Sequence, residues 1–279
     1  MKRIYTFGGQ PAQRNLTLPD LRAAKAAGRR LSQANATEAA EAAAVAAAGI
    51  DIVSATSLRY DEVRAAAPHH YTIATLGAPH LVTPEDVLRE AFRVAIAGAD
   101  CIYTIRSLGI VEMLSREGLS VQGHVGLVPR KSVATGGLRA MGKTAAEALA
   151  ILQDIRRLEE AGAVAVEVEC VAQEAMREIS RMTPLITHTI GSGSGGDVVF
   201  LFTADITGDN ATPARHARAF GDVLSLRRAM EAERTRALAA YAAAVREGSF
   251  PDAGVSVTML PDEHDRLREA LDRLSPVHQ

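Results

Sequence analysis

Glu167 and Glu169 stand two residues apart in the run VAVEVECV at 164–171. That spacing puts both carboxylates on one face of a β-strand, opposite Val166, Val168 and Cys170. An ionised carboxylate left unpaired among apolar groups is costly or takes up a proton, so the acidic face must meet water, a cation, a proton or a ligand. Other apolar runs also end in polar groups: Ala55-Thr56-Ser57, Ala74-Thr75, Tyr103-Thr104-Ile105-Arg106 and Gly123-His124, with a glycine-serine loop from Gly191 to Asp197. Hydroxyls dominate, joined by one arginine, one histidine and the two glutamates. Such a lining suits a small 2-oxo or hydroxy acid, with Arg106 as its counter-charge and Glu169 as general base. Thr56, Ser57, Thr75, Tyr103 and His124 are candidate substrate-binding residues. Gly191, Ser192 and Gly193 either cradle an anion on backbone N–H groups or form a plain turn. The bland alternatives are equally concrete: Glu169 as a structural carboxylate paired with Arg106 or Arg139, Glu167 paired with an inward cation, and His124 as a satisfied core histidine. His69, His70, His80 and His188 fall in different segments and give no transition-metal pattern.

Short apolar strands alternate with alanine-rich helices, and these elements must position the polar ends. Strands are expected at Arg30–Asn35, Ile50–Ala55, Tyr71–Leu76, Asp100–Ile105, Val121–Gly126, the VAVEVECV run and Leu185–Thr189. Helices are expected at Ala39–Ala48, from Thr83 as N-cap to near Gly98, at Ala145–Ala161 and at Gln173–Arg181. Such βα repetition predicts parallel strands with helical crossovers. The even spacing, with no early glycine fingerprint of a dinucleotide fold, favours a closed (β/α)8 TIM barrel over an open sheet, with catalytic residues at the C-terminal strand ends. Asp197–Thr207 reads either as the eighth strand or as a short helix before it. Helices at Ala214–Val223, Leu226–Arg246 and Asp262–Leu274 follow. The whole chain, 1–279, is therefore expected to be one barrel domain, with 214–279 as a C-terminal helical extension that packs on a neighbouring subunit of a homo-oligomer.

The chain has 279 residues, of which 47% are hydrophobic, and a net charge of −2. This permits a large core and gives no basic, aromatic-interleaved patch for nucleic acid. Charges interrupt every apolar run before a bilayer-spanning length, and the apolar stretch after Met1-Lys2-Arg3 is too short for a secretory signal, so no membrane partner and a cytoplasmic location are expected. Cys101 and Cys170 sit in apolar strand-like runs and read as free thiols. The four lysines, Lys2, Lys25, Lys131 and Lys143, leave few positions for Schiff-base chemistry.

VQGHVGLVP at 121–129, Gly136-Gly137, LEEAGAVAVEVECV from 158, GSGSGGD at 191–197 and AYAAAVREGSFPD from 240 together resemble the ketopantoate hydroxymethyltransferases, relatives of the phosphoenolpyruvate mutase and isocitrate lyase barrels. The likeness extends through most of residues 20 to 255. It implies a (β/α)8 barrel, a large oligomer, and transfer of a one-carbon unit from methylenetetrahydrofolate to the enolate of a 2-oxo acid. It also implies that the glutamate of the ECV motif, here Glu169, is the base.

The departures from that pattern fall at the mouth. The family resemblance implies a magnesium ion on acidic residues at three strand ends, in patterns like VGDS, ADLP and KIEGG. Here those places read SATS, ATLG and YTIRS, so Thr56, Thr75 and Ile105 stand where carboxylates are expected and Tyr103 where a substrate-binding lysine is expected. Two hydroxyls and an isoleucine do not supply the anionic oxygens that hard Mg²⁺ wants. The usual metal site is expected to be absent, and no other metal is assigned. Ser57 and His124 of the family pattern remain, and Thr37-Glu38 replaces an early tyrosine-aspartate pair. Two functions stay open: a C–C bond-making or bond-breaking enzyme in which Arg106 takes over the metal's charge, and a non-catalytic barrel binding a small carboxylate or a pterin.

Overall fold

Two short strands, β1 (Lys2–Tyr5) and β2 (Pro11–Arg14), form an antiparallel hairpin at the start of the chain. In this computed structural model residues 1–77 and 79–274 are described. Arg14 ends the hairpin as a buried cation, its Nε 2.8 and 2.9 Å from the two carboxylate oxygens of Asp100. Arg64 approaches the same carboxylate at 3.4 Å. The hairpin is thereby tied to the base of the strand that follows Asp100, a buried pair that loses heavily if one partner is removed.

The remaining strands are β3 (Leu31–Asn35), β4 (Ile52–Thr56), β5 (Tyr71–Thr75), β6 (Cys101–Tyr103), β7 (Val121–Gly126), β8 (Ala165–Glu169), β9 (Ile186–Ile190) and β10 (Val198–Phe202). They close into one parallel barrel in the order β10-β3-β4-β5-β6-β7-β8-β9. The helices between and around them are α1 (Leu18–Ala26), α2 (Ala39–Ala47), α3 (Tyr60–Ala66), α4 (Pro84–Ile96), α5 (Leu108–Arg116), α6 (Ala145–Glu160), α7 (Gln173–Arg181) and a short α8 (Thr203–Thr207). The expected TIM barrel is what forms. Thr83 caps α4 as expected, accepting from the Asp86 amide with Pro84 in the first turn, and Thr144 caps α6 in the same way through Glu147. Asp197–Thr207 proves to contain both readings, strand β10 followed directly by α8.

The interior changes character along the barrel axis. At the N-terminal end Leu31, Ile52, Tyr71, Ile73, Cys101, Ala165, Ile186 and Val198 form an apolar plug with Leu21 and Ala24 of α1. Above it inward positions turn polar, with Gln33, Gln122, Glu167 and His188 all buried. The outward residues Val166 and Val168 of β8 pack with Ile151, Ile155 and Leu158 of α6 and Met176 and Ile179 of α7. Apolar burial of this kind, worth roughly 1.5–3 kcal/mol per large side chain, holds β8 in register while its other face carries the carboxylates.

The expected helix at Ala214–Val223 does not form. Its backbone turns instead toward α8, with the Phe220 amide donating to the Ile206 carbonyl. Gly208 has φ +72°, and a Cβ there would lie 2.2 Å from the Gly221 carbonyl oxygen, so this close approach requires glycine at 208. Helices α1, α3 and α5 and the N-terminal hairpin were not anticipated.

The chain divides into two units at Asp222 and Val223. The second contains α9 (Val223–Glu247) and α10 (Glu263–Asp272). Its arginines pair within their own helices, Arg234 with Glu231 at 2.6 Å and Arg266 with Glu263 at 2.8 Å. Tyr241 and Phe250 meet edge to face with centroids 5.6 Å apart. Among the described residues no helix is long and apolar enough to cross a membrane.

Candidate active site

The polar upper part of the barrel encloses a cavity of about 270 Å³ at the C-terminal strand ends. Glu167 and Glu169 of β8 line it from one side, and His124 of β7 lies in register with Glu167. Tyr103 ends β6, Thr56 ends β4 and Thr75 ends β5, all three on the same wall. Phe200 and Phe202 supply the apolar side, and Arg130, just past β7, is the arginine that reaches the cavity.

Gly126 explains how β7 turns over the site. It has φ +87°, and a Cβ there would lie 2.3 Å from the Glu169 carbonyl oxygen. Only glycine permits that approach. The turn brings the Leu127 carbonyl back to 2.7 Å from His124 Nε2. Cys170, immediately after Glu169, has φ +52°, so the strand ends in a left-handed residue and does not continue its alternation.

A connected network results. Tyr103 Oη lies 2.7 Å from His124 Nδ1 and 3.1 Å from Glu167 Oε1. His124 Nδ1 is 3.4 Å from Glu167 and its Nε2 is 3.6 Å from Glu169. A carbonyl brings no proton, so Nε2 carries one and donates it to Leu127. The phenol has a single proton. When it is donated to Glu167, Nδ1 must donate in turn to the phenolic oxygen, which makes His124 an imidazolium. Burial works against that charge, but the hydrogen bond and charge of Glu167, the Leu127 carbonyl and Glu169 outweigh it and hold the His124 pKa above its ordinary value. Burial also raises Glu169 to about 7, with the His124 charge opposing and Glu167 reinforcing the rise. Burial and the neighbouring Glu167 push the Tyr103 phenol upward, so it stays a donor. The arrangement is a carboxylate poised near neutrality beside a buried proton-rich pair.

Five of the sequence candidates, Glu169, His124, Tyr103, Thr56 and Thr75, therefore surround one cavity. The others lie elsewhere. Arg106 spends its guanidinium on the Leu81 and Val82 carbonyls at 2.9 and 2.8 Å, so it braces a loop outside the cavity lining. Arg139 is 2.8 Å from Glu147, so neither arginine is the partner of Glu169. Ser57 is buried, and its backbone carbonyl accepts from Arg93. Ser192 accepts from the Val171 amide at 2.9 Å and donates to the Val168 carbonyl at 2.8 Å. It fastens the ends of β8 and β9 together, with Gly191 and Gly193 on either side and outside the cavity. His188 is fully buried against Gln33, and burial drives its pKa down to about 3, making it a neutral core histidine.

Sequence reasoning missed Arg130 and Gln122. Arg130 follows directly on the VQGHVGLVP motif, and Gln122 shares the inward face of β7 with His124 at i and i+2. That second spacing was a usable signal. Thr56, Thr75 and Ile105 do converge on the cavity wall, and none of them carries a carboxylate, so the donor set there does not fit a magnesium ion. Among the described residues the set that could bring three ligand atoms together is His124, Glu167 and Glu169, all within 4.8 Å of one another. Both nitrogens of that histidine already face Tyr103 and Leu127.

The ketopantoate hydroxymethyltransferase family profile matches residues 56–253. The 3-methyl-2-oxobutanoate hydroxymethyltransferase of Pyrobaculum calidifontis is 35% identical over 171 residues, 60% of this chain and 62% of that protein. The 3-methyl-2-oxobutanoate hydroxymethyltransferase of Deinococcus radiodurans is 34% identical over 213 residues, 74% of this chain and 72% of its own. The chain thus spans less than two thirds of the length of the first of these relatives. In fold, a phosphonomutase candidate from Burkholderia cenocepacia J2315 superposes with TM-score 0.53 at 14% identity, covering 83% of this chain and 100% of that one.

Proposed function

Because the chain belongs to the ketopantoate hydroxymethyltransferase family, we propose that it makes or breaks a carbon–carbon bond through the enolate of a small 2-oxo acid, without magnesium at the family position. The observation that carries this reading is the Tyr103–His124–Glu167 network beside Glu169. A C–H next to a keto group is weakly acidic, so its removal needs both a base and a group that meets the charge on the enolate oxygen. Glu169, with its pKa raised to about 7, is basic enough to take the proton and largely ionised just above neutrality. The N–H groups of the His124 imidazolium and the Tyr103 proton are already donated to Tyr103, Leu127 and Glu167, so it is the positive charge of that buried imidazolium beside the cavity that can meet the developing oxyanion. It stands in for a metal's charge, at no cost of reorganisation during the reaction.

Arg130 supplies the positive charge for the substrate carboxylate, with the Thr56 and Thr75 hydroxyls beside it. Arg106 supports this site from outside by fixing the loop at Leu81 and Val82. The cavity of about 270 Å³ lies at the small end of ligand pockets, which run from about 300 to 1,000 Å³. It suits a small branched 2-oxo acid. A methylenetetrahydrofolate cosubstrate would deliver its one-carbon unit from the mouth.

Solvent deuterium incorporation into 2-oxo acids, followed by NMR, tests this reading. Exchange next to the keto group of 3-methyl-2-oxobutanoate or a close analogue is expected, with Glu169→Gln abolishing it and Arg130→Ala raising the substrate concentration needed. Failure of every 2-oxo acid to exchange, together with saturable binding of one of them, would assign the cavity to a non-catalytic carboxylate binder.

A further inference from the structure

We propose that the opposite, N-terminal face of the barrel holds a second binding site, for a small anion carrying two or more phosphoryl groups. A cavity of about 930 Å³ opens there. Arg30, Val164, Leu185 and Asp197 in its wall each stand immediately before a barrel strand. The strands run from this face to the other, so the site lies across the barrel from Glu169 and shares no lining residue with the cavity there.

Its charge is one-sided. Arg22, Lys25, Arg29, Arg30, Arg177 and Arg181 line it against only two carboxylates, Glu159 and Asp197. Asp197 is already engaged, 2.8 Å from Lys25 Nζ, which fixes α1 to the loop before β10. Arg181 pairs with Glu178 at 3.3 Å. Among the described residues the guanidinium groups of Arg22, Arg29, Arg30 and Arg177 take no ion pair or hydrogen bond, although the Arg29 amide donates to the Ala24 carbonyl. Several other arginines of this chain find an acid one turn away, as Arg59 does with Glu62, Arg157 with Asp154 and Arg236 with Glu233. Four unpaired guanidinium groups around one concavity, on a chain of net charge −2, repel one another until an anion arrives, and they focus a positive potential into the cavity. Planar guanidinium forks match phosphoryl oxygens two by two.

Shape selects a compact ligand over an acidic protein surface. The lining includes the apolar residues Ala163, Val164, Pro184 and Leu185 together with the loop Ser194-Gly195-Gly196. A Cβ at Gly195 would lie 2.8 Å from the Arg177 amide nitrogen, which is how this loop comes to sit against the backbone of α7. The volume falls within the range of small-molecule pockets, and the apolar lining residues offer a place for a ring as well as for phosphates.

Calorimetry on the full chain at low salt tests the site with tripolyphosphate, ATP and adenosine. Tripolyphosphate and ATP are expected to bind saturably, one per chain, and adenosine not at all. Tighter binding of ATP than of tripolyphosphate would assign the apolar lining to a nucleobase, and equal binding would assign the site to the phosphates alone; both support the proposal. Arg30→Ala and Arg177→Ala should each weaken binding by about tenfold, the loss of a charge-assisted bond, and the corresponding lysine variants should restore part of it. Glu169→Gln should leave it unchanged, which separates this site from the proposed active site. No saturable binding at millimolar anion, or binding indifferent to Arg30→Ala with Arg177→Ala in a folded protein, would overturn it. So would loss of a self-associated state in that double variant without anion binding, which would give the face to an acidic surface of another chain.

Discussion

Tyr103 and His124 share one short contact, 2.7 Å from phenolic oxygen to Nδ1, and that contact decides the charge state of the site. With Nε2 donating to Leu127 and the phenol donating to Glu167, the imidazole must hold two protons. Tyr103→Phe removes the middle of this chain and leaves Nδ1 and Glu167 facing each other without it. A loss of about 1–3 kcal/mol in stability is expected from stranding two buried polar groups. In NMR titration the His124 pKa should move away from its wild-type value, and deuterium exchange should slow by about tenfold or more. A variant with unchanged exchange and unchanged His124 titration would remove Tyr103 from the mechanism.

The raised pKa of Glu169 predicts a pH profile with a definite sign. Folded, the group titrates at about 7, against 4.5 for an ordinary glutamate. Its proton is held more tightly in the native state, so its contribution to stability is complete below the ordinary value and is lost as pH rises through about 7. Glu169→Gln, which mimics the protonated form, should therefore stabilise the protein more at pH 8 than at pH 4. The difference should be about 1–2 kcal/mol, reduced from the full linkage value because the carboxylate is partly exposed. Activity should run the other way, rising to a plateau above about pH 7 and falling again where His124 gives up its proton. Urea melts and exchange rates across pH 4–9 check both; an activity optimum below pH 5 would contradict the assignment of Glu169 as base.

Magnesium should not bind where Thr56, Thr75 and Ile105 meet. Calorimetric titration of the wild-type chain is expected to show no saturable uptake at that position. Introducing Thr56→Asp, Thr75→Asp and Ile105→Glu together should create it, because these changes supply anionic oxygens on three adjoining strand ends. Magnesium binding to the unmodified chain that survives Glu169→Gln and disappears in Thr56→Val would refute the prediction.

The barrel was legible because period and punctuation recur along the whole chain, and the strand bounds for Val121–Gly126 needed no adjustment. The site was legible only as far as strand ends point inward, which delivered Glu169, His124, Tyr103, Thr56 and Thr75 to one cavity. Arg106 lay one residue past a strand end, where the backbone leaves the barrel and the side chain's direction depends on the loop; its donors went to Leu81 and Val82. Arg130 was missed for the same reason, and of the two readings of the Gly191–Gly193 loop only the structure shows Ser192 fastened between Val171 and Val168. Neither the return of the 127–131 segment over the cavity nor the stitching of β8 to β9 has a periodic signature. The false helix at Ala214–Val223 had good composition; in its place the backbone runs close against α8, with Gly221 against Gly208 and the Phe220 amide on the Ile206 carbonyl, an approach that composition does not encode.

Gln122 links stability to ligand binding. It is fully buried on β7, lines the same cavity as His124, and neither its amide nitrogen nor its carbonyl oxygen has a protein partner. A buried amide without a protein partner costs roughly 1–3 kcal/mol unless something in the cavity answers it. The polar oxygens of a bound 2-oxo acid can do so. Gln122→Met, close in volume and without the amide, should therefore raise the stability of the ligand-free chain by about 1–2 kcal/mol. The same change should weaken binding of a 2-oxo acid by about tenfold, seen as a higher concentration for half-maximal exchange with little change in the rate at saturation. Thermal melts with and without 3-methyl-2-oxobutanoate separate the two effects, because the ligand should raise the melting temperature of the wild type more than that of the variant. Equal ligand-induced shifts in the two proteins would show that Gln122 is answered from elsewhere and takes no part in recognition.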